Sequence, residues 1–280
     1  GPALTLGQEK MTNQQDTEIL FAREASMSSM SLGLGLTQLR KYDFVKPGFF
    51  YSSMFMITIG LERLMKLIVI YDHRIRNNGA FLSNNQLKHE YGHKIHDLFE
   101  SAIKINSENN YSNEHAELLE DEITQKIIEY LSEFAQTSRY YNLDGLTGKH
   151  QQNKEPLNRW NEDINSIILS RHYKPRKKKA EQIDAISAQL EDITSVMLTS
   201  ENGRDITSIR EFYTEGDKVP IKQKYSMYYI YIIARFLVNL LSSLETHGKF
   251  YPFLREYFYH LACADRSYIL SRKTWLPIGH

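Results

Sequence analysis

Residues 87–98, LKHEYGHKIHDL, contain His89-Glu90-Tyr91-Gly92-His93, the H-E-x-x-H pattern of zinc hydrolases. The chemistry of that pattern rests on helical geometry. Side chains four apart share one face, so His89 and His93 would hold one Zn2+ while Glu90 acts as the base on a metal-bound water. Glu114, in SNEHAE, stands downstream as the third ligand. Three features oppose a metal centre. The preceding LSNNQLK is polar and reads as a loop, and Lys88 sets a cation beside the first histidine. Gly92 costs about 1 kcal/mol relative to alanine inside a helix. No strand-rich region is present to hold a peptide by β-addition. The first expectation is therefore no cofactor, with zinc as the alternative.

The second feature with chemical content is RHYKPRKKK, residues 171–179, where Lys174, Arg176, Lys177, Lys178 and Lys179 concentrate positive charge beside Tyr173. Such a run binds phosphates by releasing counterions, so these five are the candidate RNA contacts. The competing reading is a solvated helix start. Tyr140 and Tyr141, in SRYYNL, are either base-stacking platforms or loop anchors with satisfied hydroxyls.

These groups sit in a chain of 280 residues with 34 basic and 34 acidic side chains, so no global field marks it as a polyanion binder. Any nucleic-acid contact must come from a local patch. The single cysteine, Cys263, excludes an intramolecular disulfide and Cys-based zinc sites and fits a reducing, cytoplasmic setting. GPALTLGQEK, ahead of Met11, reads as a cleavage remnant plus linker, and residues 1–10 are set aside from the fold. MFMITIGLERLMKLIVI is interrupted by Glu62, Arg63 and Lys66, and MYYIYIIARFLVNLL carries Arg235, so both are predicted as core helices with no membrane contact.

Apolar spacing of three and four predicts helices over 16–40, 50–73, from His89 or Gly92 to Asn106, and over 118–131. LNRWNEDINSIILSRHY and EQIDAISAQLEDITSVMLTS add two more, the latter closed by Gly203 as a C-cap. A last pair covers roughly 219–246 and 252–272, with Pro252 in the first turn of the second. LSNNQLK and SRYYNLDGLTGKHQQNKEP are read as irregular. No period-two strand series is present, and the predicted fold class is all-α.

GLERLMKLIVI (60–70) followed by LKHEYGHKIHDLFESAIKI (87–105) resembles the HEPN superfamily, the higher-eukaryote and prokaryote nucleotide-binding helical domains, and SRYYNLDGL is similar to the Arg-Tyr segment after a later helix there. The resemblance covers about residues 17–146. It implies a helical bundle over 11–148, with 149–280 completing or extending it. It also implies RNA or a nucleotide as ligand, a homodimer, and an antitoxin or other defence partner. Many such proteins are metal-independent ribonucleases carrying Arg, a polar residue and then His. Arg255-Glu256-Tyr257-Phe258-Tyr259-His260 fits that pattern, with Glu256 in place of the usual Asn, Asp or His. On this reading His260 moves the proton at the ribose 2′-hydroxyl or leaving 5′-oxygen, and Arg255 holds charge building on the phosphate. The alternatives are a structural role for both residues in a catalytically silent binding module, and the zinc peptidase.

Overall fold

The computed structural model describes residues 3–150, 153–191, 198–200 and 203–277, and the chain is all-α. Two long helices form its base: α1 (Ala3–Leu39), which extends back through the leading segment, and α2 (Gly48–Arg76). Between them Asp43 Oδ1 accepts the N–H groups of Val45 and Lys46 at 2.8 and 2.6 Å. The turn is tight, and the helices run antiparallel. Leu32, Leu36 and Leu39 meet a stripe that includes Ile57, Leu61, Leu64 and Ile68, all buried.

LSNNQLK, expected as a loop, is mostly helical: α3 (Asn84–Glu90) starts on a capping box in which Ser83 and Gln86 satisfy each other's backbone N–H. α4 (Ile95–Glu108) begins only at Ile95. α5 (Glu122–Gln136) is capped by Asp121, whose side chain accepts the N–H of Ile123. The segment after it, expected to be irregular, holds a short helix, α6 (Tyr141–Leu146). α7 (Pro156–Trp160) passes through a π-helical turn, Asn161–Asn165, into α8 (Ser166–His172). α9 spans Lys177–Leu190.

Gly203 does not cap that helix. It lies at φ +70 in the turn between two-residue strands β1 (Leu198–Thr199) and β2 (Asp205–Ile206), which pair antiparallel with Leu198 opposite Ile206. α10 (Ile209–Gly248) is ten residues longer at its start than the apolar pattern predicts, because Ser208 caps it and Pro220 is accommodated inside it. The expected final helix is divided into a 3-10 segment, Leu254–Leu261, and α11 (Arg266–Ser271), whose N-terminus is capped by Asp265.

α10 packs against α2, and one apolar cluster runs from Phe21 to Trp275, so the second half of the chain adds to the core begun by the first. By length and composition α10 could cross a membrane, but 72% of its most apolar stretch is already buried inside the protein.

The segment around Trp275 closes over α1 at Gly33, where an added Cβ would lie 2.3 Å from the backbone oxygen of Trp275. Gly33→Ala is expected to destabilise the fold by about 1–3 kcal/mol through overpacking, despite alanine's better helix propensity. Urea denaturation followed by circular dichroism measures this, and a stability gain would mean that the C-terminal segment is free to move away.

Candidate functional site

The H-E-x-x-H residues do not share a helical face. α3 ends at Glu90, and the chain then turns through Gly92 at φ +86, where a Cβ would meet Asp97 Cβ at 2.4 Å. His89 lies in the last turn of α3, while His93 is exposed in the turn before α4. Glu90 lies 3.3 Å from His73 Nδ1, and Glu114 accepts a hydrogen bond from Arg235 at 2.9 Å. Among the described residues, no three His, Cys, Asp or Glu side chains converge on a point that could hold a metal ion. The sequence pattern assumed one continuous helix, and Gly92 breaks it.

Arg255 and His260 share the 3-10 segment but face different surroundings, because five residues at three per turn differ by roughly 120° in direction. Arg255 Nη1 donates to Thr246 Oγ1 at 2.9 Å and lies 3.3 Å from Ser242 Oγ, and its guanidinium covers the Phe253 ring at 4.6 Å. His260 is 3% exposed, and its Nε2 donates to the Ser29 carbonyl of α1 at 3.1 Å. Its Nδ1 has no partner among the described residues. Burial pushes this imidazole down to about 4, so it is neutral at pH 7. The structure therefore separates the two side chains, one on the surface of α10 and one in the core.

The basic run lies at the junction of α8 and α9. Two of its cations are engaged: Arg171 makes a bidentate pair with Asp121, 2.8 Å at both oxygens, and Lys179 pairs with Asp217. Asp217 also accepts the Tyr173 hydroxyl at 2.9 Å. Lys174, Arg176, Lys177 and Lys178 are exposed, with no ion pair among the described residues. Lys174, Arg176 and Lys179 line a cleft of about 540 Å³ together with the acid Asp217, and its apolar walls are Pro175, Pro220 and Ile221.

His172, which lines the cleft, stacks on Tyr225 of α10, ring centroids 3.6 Å apart and planes within 1°. His172 Nε2 shares a 2.8 Å hydrogen bond with the Tyr229 hydroxyl. Tyr228 packs edge-on against both tyrosines, and the Arg266 guanidinium lies 5.4 Å over its ring. Burial, with Arg266 and Arg171 adding to it, pushes His172 down to about 4. The imidazole is uncharged at neutral pH and serves as an aromatic surface. This column was missed in the sequence, where YSMYYIY reads only as part of an apolar core helix. The available signal was three tyrosines at 225, 228 and 229, the three-and-four spacing of one helical face. Tyr140 lies apart from the cleft residues, half exposed beneath the Arg139 guanidinium at 5.1 Å.

Comparison with protein-family models, with curated proteins and with solved structures finds no match.

The lowered His260 pKa makes stability depend on pH with a definite sign. Below its ordinary value of 6.5 the unfolded chain takes up a proton that the folded chain refuses until about 4, so stability falls as pH drops through that window. The expected loss is on the order of 1 kcal/mol per pH unit between about pH 6 and 4.5 for this one histidine. His260→Gln, whose amide can still donate to the Ser29 carbonyl, should flatten the dependence. Urea midpoints across that range measure it, and an equal slope in both proteins would place the titration elsewhere.

Proposed function

We propose that the chain is a single-stranded RNA-binding helical module, a catalytically silent member of the HEPN-like class that its sequence resembles. The observation that carries this reading is a cleft lined by the exposed Lys174 and Arg176 and by His172, whose ring stacks on Tyr225, with Lys177 and Lys178 exposed at the adjoining start of α9. Single-strand binders combine these two elements, cations that track the phosphates and rings on which bases stack.

Local electrostatics support the assignment. Lys177, Lys178 and Lys179 open α9 with no acid in its first turn, so like charge meets the positive end of the helix dipole. That arrangement costs stability in the free protein, and an anion bound there relieves it. The walls formed by Pro175, Pro220 and Ile221 suit the face of an unstacked base better than a smooth duplex backbone. Cleavage through His260 would require that side chain to leave the core and its bond to Ser29, so binding is the activity the geometry favours.

Fluorescence anisotropy with a labelled single-stranded oligoribonucleotide tests this. Replacing Lys174, Lys177 and Lys178 together by alanine is expected to lower the magnitude of the log K versus log salt slope by about 2, at about 0.7 per lost phosphate contact. Tyr228→Leu should weaken binding while leaving that slope unchanged, because stacking releases no counterions. Lys179→Ala should matter less than its neighbours, since its charge is already spent on Asp217. A triple variant with an unaltered slope would return the basic run to solvent.

A further inference from the structure

Half-buried cations in folded proteins are normally held by carboxylates, and Arg74 is held by none among the described residues. Its guanidinium sits instead over three rings, with centroids at 4.4 Å (Phe250), 4.7 Å (Phe81) and 5.6 Å (Phe21). Its Nε is buried without a hydrogen-bond partner among the described residues. Burial also pulls this group below the usual arginine range, which marks a charge short of compensation. Aromatic faces offset part of that deficit but supply no acceptor.

Arg74 opens onto a cavity of about 470 Å³. Lys249 stands on the same rim, held outside the end of α10 by a left-handed backbone at φ +53, and it too has no ion pair among the described residues. Glu18 is the acid on this rim, and it accepts a hydrogen bond from Gln14 Nε2 at 3.3 Å. The cavity shares Thr17, Phe21 and Phe81 with an adjoining hollow of about 290 Å³. That hollow is lined by Leu67 and Ile70 of α2 and walled by Leu20 and Leu82. Its one acid, Glu24, is paired with Arg63 at 2.5 Å.

The two hollows form one trough, cationic at Arg74 and apolar toward Leu67. Arg74 and Leu67 are seven residues apart on α2, about 10 Å along the helix axis. Leu20 and Phe81 stand 60% and 56% exposed along it. An uncovered apolar strip that ends at an uncompensated cation marks a binding site. Charge selects an anion, and two helical turns of apolar lining select a chain over a compact polar anion. The planar guanidinium matches the two oxygens of a carboxylate. We propose that this trough binds a single-chain alkyl carboxylate of fatty-acid type, its head between Arg74 and Lys249 and its chain along Leu20, Phe81 and Leu82.

Isothermal titration calorimetry of the full chain with dodecanoate, kept below its micelle-forming concentration, tests the proposal. Saturable binding of one molecule per chain is expected, with no saturable heat from acetate or from dodecyltrimethylammonium, which lack the chain and the negative charge respectively. Arg74→Met keeps the contacts with the three rings and removes the charge, and it should weaken dodecanoate binding by about tenfold or more. Leu20→Ser, at a mostly exposed position, should weaken binding several-fold while leaving the thermal midpoint unchanged. Glu18→Gln should strengthen it, because the nearest competing carboxylate is gone. The proposal is overturned by an absence of saturable binding to the wild-type chain, or by unchanged affinity in either Arg74→Met or Leu20→Ser. It also falls if the wild-type chain is a dimer in solution that Leu20→Ser dissociates, since a second copy would then cover the trough.

Discussion

The contact on which the other elements depend is the backbone-to-backbone approach of α1 and α2. A Cβ on Gly60 would stand 2.7 Å from Leu32 Cγ, and one on Gly35 would stand 2.6 Å from Ile57 Cγ1, so neither position admits a larger residue without displacing a core side chain. Serines complete the seam from both sides. Ser28 Oγ donates to the Gly60 carbonyl at 2.8 Å, and Ser53 Oγ to the Gly35 carbonyl at 2.7 Å. The close approach creates a broad platform, and the C-terminal half is built onto it. α10 lies against α2, His260 bonds the Ser29 carbonyl, and the Trp275 N–H reaches Thr37 Oγ1 at 2.9 Å.

Buried and half-buried charges then fix the connections. Arg235, on the buried face of α10, reaches Glu114 and His115 at 2.9 Å each and ties down the turn before α5. The Glu245 carboxylate, fully buried, accepts the N–H groups of Leu254 and Arg255 at 2.7 and 3.2 Å and starts the 3-10 segment. Asp121 has two roles: its side chain caps α5 and grips Arg171. Arg171 thereby anchors the end of α8, which holds the next residue, His172, flat on Tyr225. The positive character of the cleft comes from this division of labour in a chain with no net charge. Asp121 engages Arg171, Asp217 engages Lys179 and also feels the charge of Arg176, and Lys174, Arg176, Lys177 and Lys178 make no ion pair among the described residues. Opening a helix with lysines conflicts with the helix dipole, and such local conflicts are expected where function outweighs stability.

The long helices were legible because burial imposes a period on sequence: the stripes of α2, α4 and α5 follow the three-and-four spacing that core packing demands. α3 was not, because its helical signal lies in a reciprocal cap between Ser83 and Gln86 and only Leu87 is buried. Gly33 and Gly35 count against a helix at α1 for the same reason that they matter to it, since propensity treats the missing side chain as a cost and packing uses it as space. H-E-x-x-H presupposes one continuous α-helix, whereas Gly92 turns the chain between the two histidines. Arg255 and His260 are a different case, because residues five apart diverge by more than roughly 100° on an α-helix as they do on this 3-10 segment, so their spacing alone never placed them on one face. The histidine-tyrosine column was hidden more deeply. It joins residue 172 to residues 225 and 229, and no spacing along the chain encodes an encounter between helices that far apart in sequence.

α10 connects both candidate sites and also keeps them apart. Ile221 lines the basic cleft and Lys249 lines the trough, and 28 residues of helix at about 1.5 Å each set them about 40 Å from one another. That distance is several Debye lengths at physiological salt, so charge bound at one end is screened from the other. Mechanical coupling would have to pass along α10 itself. Its central turns are held by Arg235 and by a buried apolar face from Ile230 to Leu244. Pro220 is the exception, since it removes a backbone donor within the helix beside the basic cleft. The turn at Pro220 is therefore the part of α10 least restrained by its own hydrogen bonds, and it lies at the cleft end of the helix, opposite the trough.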